Sequence, residues 1–515
     1  MSGYLRRLAT TGAAYTAASI LSKVIAVALL PLYTRYLTKE DYGAAEVLFA
    51  AVVTASIIVR FGLIEAILRF YYLDDEDPSR VVSSTFAGLF WLSTLGVLVA
   101  LPLAEPLSEL LLPNAEKLGG SAPELVRIAI GGLWVLTMWE FMLTLFRLEE
   151  RARAFFVTTI LNVVAAIGLT VVLVVGLDEG ARGLLIGSYA SAAAFVVVLV
   201  ALQWRRLSLR FDTALLRRLF RFGLPTMPAE VSLYALNFAD RLIIARSLGL
   251  AEAGLYSLGV KFAQAVNVLV RGFQLAWPPL AYSIRDDDEA RRTYATVVTL
   301  FVAGCSFVVA GMWLFSRWIV RALAAPNFFD SYEVIGLIAA AVTLYALYLV
   351  LVVILGRTGR TEFNLPAAIA ALVVNVALNL LLVPQLEIVG AALALVASYL
   401  VVLGLMYAFT QRLFPVPYEW GRLLRVVLTV AAIVAVAELV VPTEGVDGLL
   451  LRAALLALYP LALWATGFFS EEERRWLGYL RHPGAVLASL RAEPAVDGRV
   501  PEVYEAERMD EDSRL

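Results

Sequence analysis

At 515 residues the chain has room for several soluble domains of roughly 100 to 200 residues each, but its composition excludes that reading. Apolar side chains make up 61% and Asp, Glu, Lys and Arg together 17%, against about 45 to 50% and about 25% in soluble proteins; the mean hydropathy is +0.79. With a formal net charge of only -2, this is a multispanning membrane protein and not a soluble enzyme or a nucleic-acid binder.

A bilayer core about 30 Å thick is crossed by about 20 apolar residues at 1.5 Å each. Runs of that kind lie at about 12–33, 44–68, 81–104, 124–146, 154–177, 183–203, 222–246, 252–275, 293–315, 331–355, 363–383, 388–410, 423–441 and 449–469, which predicts an all-α polytopic membrane protein of about fourteen transmembrane helices. The first run carries Lys23 at its middle and lacks a small-residue cleavage site after its apolar part, so it reads as a retained span and not as a cleaved signal.

Arginines in short loops favour the cytoplasmic side. The even-numbered connections carry 18 arginines, six of them between Trp204 and Arg221, and the odd-numbered ones carry 8 arginines and lysines, which predicts that both termini face the cytoplasm. The loops on the other side are short, the longest running from about Glu105 to Pro123, which argues against a membrane glycosyltransferase or polymerase with an external catalytic loop. After the last run, Ser470-Glu471-Glu472-Glu473 has the pattern of a capping box for a short interfacial helix. Beyond Glu493 the tail is polar and reads as disordered.

The chain repeats itself at an offset of 211. That offset aligns Arg35 with Arg246, Leu37 with Leu248, Gly43 with Gly254, Arg60 with Arg271, Asp75-Glu76-Asp77 with Asp286-Asp287-Asp288, and Arg80 with Arg291. A weaker echo with small shifts pairs Asn162 with Asn375 and Ser188-Tyr189 with Ser398-Tyr399. The reading that follows is an N-lobe of six helices at 1–203, a basic cytoplasmic linker at 204–221, a C-lobe of six helices at 222–411, two further helices at 412–469 and a tail at 470–515. Six helices per half give both halves one topology and a pseudo-two-fold axis along the membrane normal, with substrate expected between the halves.

One cysteine, Cys305, and one histidine, His482 in the tail, leave no intrachain disulfide, no structural zinc site and no Cys-His or Ser-His-Asp centre within the membrane. None of the lysines 23, 39, 117 and 261 follows a GxxxxG, so a phosphate-binding loop for ATP is excluded and no cofactor is expected.

Ionisable groups inside a span normally face a bundle interior or a watered cavity. Here they concentrate in the first, second, seventh and eighth spans. Lys23 lies near mid-membrane in the first; Glu46, Arg60, Glu65 and Arg69 lie in the second. In the seventh, Thr226, Glu230, Tyr234, Asn237 and Arg241 recur at spacings of 4, 4, 3 and 4 and share one helix face, with Pro225 and Pro228 at its start. In the eighth, Lys261, Gln264, Asn267 and Arg271 fall within about a third of the circumference. The bland alternatives are snorkelling for Glu46, Glu65, Arg69 and Arg246 near span ends, a fold-stabilising Asp240–Arg241 ion pair, and solvated helix caps for the acidic clusters at 74–77 and 286–288. A cavity lined by Lys23, Arg60, Arg241, Lys261 and Arg271, with few unpaired carboxylates, would attract an anion. The planar fork of arginine suits the two oxygens of a phosphate or diphosphate.

The run Leu30-Pro31-Leu32-Tyr33-Thr34-Arg35-Tyr36-Leu37-Thr38-Lys39-Glu40-Asp41-Tyr42-Gly43 resembles the first-loop signature of Wzx-type polysaccharide (O-antigen) flippases, within the multidrug/oligosaccharidyl-lipid/polysaccharide (MOP) exporter superfamily. Phe222-Gly223-Leu224-Pro225, Asp240-Arg241-Leu242-Ile243-Ile244 and Val389-Gly390-Ala391-Ala392-Leu393 with Ser398-Tyr399 are similar to later family segments, so the resemblance covers about four fifths of the chain. It implies two six-helix lobes forming a V, as in MATE- and MurJ-type transporters, working by alternating access without covalent chemistry in the bacterial inner membrane. The implied cargo is a polyprenyl-diphosphate-linked oligosaccharide, with polysaccharide polymerase and glycosyltransferases as functional partners. Lys23, Arg60, Lys261 and Arg271 occupy places suited to the diphosphate, and Glu230, Asp240 and Glu140 are candidate carriers of a coupling ion. A single lysine in the first span, where lipid II flippases have an Arg-Asp pair, argues against lipid II as cargo. The positive stripes argue against the drug-exporting branch.

Overall fold

The computed structural model describes residues 21, 25, 27–72, 77–113, 115, 118 and 121–470. All regular structure among them is helical. The chain divides into two units, Met1–Tyr459 and Pro460–Leu515. In the second, the described residues are the last turn of a helix ending at Ala465 and a Phe468–Phe469 edge contact at 5.1 Å. Apart from that helix end, the first unit carries everything discussed below. Lys23, most of the first span, the acidic residues 74–76 and the tail from 471 lie outside the described residues.

The first half of the chain forms α1 (Leu30–Tyr36), α2 (Lys39–Arg60), α3 (Leu63–Phe70), α4 (Pro78–Ala100), α5 (Ala104–Leu111), α6 (Ala122–Leu148), α7 (Ala152–Val171) and α8 (Gly180–Gln203). A linker helix α9 (Thr213–Gly223) leads into α10 (Met227–Ser247), α11 (Leu250–Ala263), α12 (Val266–Ser283), α13 (Asp287–Leu323), α14 (Tyr332–Arg357), α15 (Asn364–Leu413), α16 (Trp420–Val440) and α17 (Gly445–Ala465). Helix starts are set by side chains that accept the orphan backbone N–H groups of a first turn. Thr38 accepts from the amide of Asp41 at 3.0 Å, Asp77 from Ser79 at 3.0 Å and Asp286 from Glu289 at 2.7 Å. For Asp77 and Asp286 this is the capping role expected of the acidic clusters.

Among the described residues ten helices are long and apolar enough to cross a membrane, or eleven if the bent pair α11–α12 is one span. The fourteen expected spans depart from this in specific ways. The seventh is present as α10 but is not one of the ten, because Glu230, Asp240 and Arg241 lower its apolarity. The eleventh and twelfth are merged in α15, whose 50 residues turn back at Glu387 (φ 53°), where Gly390 comes so close to Leu382 that a Cβ would strike its carbonyl. The second and eighth spans, expected to be continuous, are both broken: the former at Phe61 and Gly62 (φ 48° and 71°), the latter after Ala263 with a bend of 50°.

The linker lies on one side of the bundle, called here the linker side; the turns at 37–38, 248–249 and 324–325 lie on the far side. The linker is more than a basic tether. In α9, Leu215, Leu216 and Leu219 are buried against Leu63, Ile67, Phe86 and Met142 of the first half, while Arg217, Arg218 and Arg221 stay exposed. Asp212 caps α9, accepting from the amides of Ala214 and Leu215, and pairs with Arg80. Gly62 and Gly223 touch backbone to backbone.

The halves meet along α2, α10 and α11. Besides Gly62 on Gly223 beside the linker, they touch toward the far side: Gly43 on Gly254, Tyr42 edge-on to Phe328 at 5.9 Å, the amide of Ala325 donating to Thr34 Oγ1 at 3.0 Å, and Arg246 donating to the carbonyl of Leu110 at 3.3 Å.

Candidate functional site

The polar face of α10 looks into the space between the halves, and its residues divide by depth. Thr226, on the linker side, is exposed and donates to the carbonyl of Gly223 at 2.7 Å. Glu230 is half-buried, and Tyr234 is 45% exposed, the most open side chain on this face after Thr226. Asn237 and Arg241 follow toward the far side.

On the linker side a layer of five charges forms. Glu230 lies within electrostatic range of Glu65, Arg60 and Glu140, and Tyr234 within range of Glu230, Glu140, Arg60 and Arg271. Arg60 donates to its own helix, at the carbonyl of Ser56 (3.2 Å), and Arg271 reaches the amide oxygen of Gln274 at 3.4 Å. Neither arginine forms an ion pair within 4.0 Å among the described residues. The expectation of few carboxylates beside these arginines is corrected: three glutamates from α3, α6 and α10 share the layer. Glu65, expected to snorkel, is one of them, because the break at Phe61–Gly62 starts a new helix just before it.

A deeper layer holds Glu46, Asn237, Arg241, Lys261 and Gln264. Lys261, expected to line the cavity, is ion-paired with Glu46 across the halves and sits over the ring of Tyr42 at 5.5 Å. Glu46 is 5% exposed; an isolated carboxylate so placed is costly and requires a partner. Arg241 does not pair with Asp240, since neighbouring residues on a helix point in different directions. It donates instead to Ser257 Oγ at 3.1 Å and to the carbonyl of Asn237 at 2.9 Å. Asp240, fully buried, accepts from Tyr256 (2.9 Å), Asn375 (2.9 Å) and Asn379 (2.8 Å). Nothing in the sequence reading named Tyr256 or Asn379. The available signal was two asparagines four residues apart on one face of an apolar run.

Two cavities open from these layers and share Tyr234. One, of about 280 Å³, lies between the halves and is lined by Glu46, Thr54, Asn237, Arg241 and Gln264. The other, of about 390 Å³, lies within the second half beside Arg271 and is lined by Asn267, Phe273, Gln274, Trp277 and Tyr345. The arrangement can bind a charged, polyfunctional group inside the bundle. The charged layers place both acceptors and donors within reach of it.

The profile of the family described as "Polysaccharide biosynthesis protein" matches residues 9–284, over half the chain. The succinoglycan biosynthesis transport protein ExoT of Rhizobium meliloti (strain 1021) is 26% identical over 333 residues, which cover 62% of this chain and 64% of that protein's length. In fold, the chain is similar to the lipid II flippase MurJ in an inward closed conformation (TM-score 0.68, 12% identity, 87% of this chain and 97% of that one). It is also similar to a multidrug resistance MATE family transporter of the MOP superfamily in an inward-facing conformation (TM-score 0.62, 15% identity, 76% and 94%). The charged bundle interior, the helical architecture and the profile agree: the chain belongs to the polysaccharide biosynthesis protein family and has the fold of MOP-superfamily transporters.

Proposed function

We propose that the protein is a flippase that carries a polyprenyl-diphosphate-linked oligosaccharide from the cytoplasmic to the outer leaflet of a bacterial inner membrane, with both termini cytoplasmic. Residues 1–203 and 222–411 act as two lobes that rock about their far-side contacts, and the cargo enters from the linker side. The observation that carries this reading is the pair Arg60 and Arg271. They are repeat mates, both sit within membrane helices on the linker side, and neither is neutralised by an ion pair among the described residues. Two such forks can grip a diphosphate from both lobes. Arg241 and Lys261 would meet the cargo deeper in, with Lys23 as a further candidate from the first span. Glu230, Asp240 and Glu140 are the candidate carriers of a coupling ion. Asp240 is supported by the buried side-chain oxygens of Asn375 and Asn379, which lack a partner. Polymerase and glycosyltransferases would work on either side of the translocation step.

A second reading, export of a small cation, is favoured by the three glutamates of the linker-side layer. Proteoliposomes separate the two. The purified chain should move a fluorescent short-chain polyprenyl-diphosphate oligosaccharide between leaflets, and Arg60→Ala and Arg271→Ala should abolish the transfer while inserting normally. Wild-type rates in both variants, or transport of a cationic dye that neither variant alters, would displace the flippase reading.

A further inference from the structure

The internal repeat separates what the two halves share from what only one of them has. Arg60 and Arg271 are shared. Around Arg271, however, the second half places Phe273, Gln274 and Trp277 where the first half has Gly62, Leu63 and Ala66, and Asn267 where the first has Ser56. Of the groups that line the 390 Å³ cavity, Phe301 and Tyr345 align with Phe90 and Trp134, but Asn267, Phe273, Gln274 and Trp277, all from α12, have no aromatic or amide counterpart in the first half.

The cavity is organised. Phe273 stacks on Phe301 with centroids 4.0 Å apart and on Trp277 at 5.7 Å. Trp277 is fixed from behind by donating its indole N–H to the carbonyl of Val350 at 3.4 Å. Tyr345, which lines the same cavity, stacks on Tyr348 at 5.7 Å and leans on Tyr399 at 5.3 Å. These packed aromatic rings line one space together with Asn267, Gln274 and Arg271. The volume falls in the range of about 300 to 1,000 Å³ typical of small-ligand sites.

A prenyl chain does not suit this space, because it would strip water from an amide and a guanidinium without replacing their hydrogen bonds. The cavity of about 330 Å³ walled by Leu48, Val52, Ile58, Leu107 and Leu133 of the first half and Phe238 of the second shows what an apolar pocket in this protein looks like. A pyranose ring matches the mixed lining. Its C–H faces carry partial positive charge and rest on the negative faces of aromatic rings, while its hydroxyls both donate to and accept from side-chain amides.

We infer that the cavity bounded by α12, α13 and α14 is a saccharide site, which takes the sugar next to the diphosphate between Phe273 and Tyr345, with Asn267 and Gln274 on its hydroxyls. This rests on the flippase reading and adds to it the group that selects the cargo. The glycan gives a reason for the difference at the α12 positions: a diphosphate presents similar oxygens to both halves, whereas the glycan projects from one end only.

The test is isothermal titration calorimetry of the full chain in detergent with four probes: farnesyl diphosphate and its conjugates with galactose, glucose and N-acetylglucosamine. At least one conjugate should bind about tenfold tighter than farnesyl diphosphate, and Phe273→Leu and Tyr345→Leu should each remove that gain while leaving farnesyl diphosphate within about twofold of wild type. Equal binding of all four probes overturns the saccharide site and leaves the diphosphate reading standing. Loss of affinity for all four in both variants also overturns it, since the rings would then serve only the fold. Binding of none overturns the flippase reading itself.

Discussion

Gly43 and Gly254, repeat mates 211 positions apart, pack backbone against backbone where α2 crosses α11. A Cβ on Gly43 would strike the carbonyl of Leu250, and a Cβ on Gly254 the carbonyl of Lys39. Lys39 and Leu250 are also 211 apart. Each glycine meets the repeat mate of what the other meets, which is the reciprocity of an isologous contact. A two-fold axis through this crossing accounts for it.

Because the obstructing atoms are backbone, neither can turn aside for a methyl group. Gly43→Ala and Gly254→Ala are each expected to lower stability by about 1 to 3 kcal/mol, the usual cost of overpacking, and by similar amounts. Thermal unfolding in detergent, followed by tryptophan fluorescence, measures this. If either variant melts with the wild type, the close crossing is not where the halves meet.

The Glu46–Lys261 pair joins the same two helices deeper in the bundle, and its members differ in exposure: the side chains are 6% and 33% accessible. Removing the lysine leaves the more buried charge alone. Lys261→Gln should therefore destabilise more than Glu46→Gln, by up to about 3 to 5 kcal/mol for breaking a buried pair. The double variant should recover part of the loss. An additive double variant would show that the two charges do not interact.

The sequence reading reached the helical class, because that is written in apolar runs tens of residues long. It placed Thr226, Glu230, Tyr234, Asn237 and Arg241 on one face, since helical spacing decides that alone. It did not find Glu46 opposite Lys261 or Asn379 at Asp240, because those partners come from different helices and depend on crossing angle and depth. The breaks at Phe61–Gly62 and after Ala263 were also hidden. Apolarity carries no mark of a helix interrupted inside a span, and of the two only the first has a glycine at the break.

The two arginines of the linker-side layer make a prediction about geometry as well as charge. Arg60→Lys and Arg271→Lys keep the positive charge but lose the planar fork that can hold two phosphate oxygens. Each should lower flipping by about tenfold or more, the loss of one bidentate contact at 1.5 to 3 kcal/mol. Arg246→Gln should be mild, as Arg246 is exposed and donates only to the carbonyl of Leu110. Full activity in both lysine variants would mean that the layer acts as a general field and not as a clamp.

The two helices after the second half are held by another arginine. Arg452 in α17 is 1% exposed, donates to the carbonyls of Leu314 and Ala437 at 3.3 and 3.1 Å, pairs with Glu438 at 3.0 Å and lies over Trp318 at 5.6 Å. It thereby ties α17 to the far-side ends of α13 and α16, where Arg321 and Glu444 add an exposed pair at 2.6 Å. Exposure of Glu438 weakens its share, so the strength of the anchor lies in the carbonyls and the ring. Arg452→Met keeps the bulk and removes the donors, taking from the Ala437 carbonyl, in the last turn of α16, its side-chain partner at a cost of about 1 to 3 kcal/mol. The loss should appear as earlier proteolysis of the 441–444 turn, with Arg452→Lys intermediate because an ammonium reaches fewer of the three acceptors. Cleavage of the methionine variant at the wild-type rate would show that apolar packing alone seats these helices and that the buried charge has another purpose.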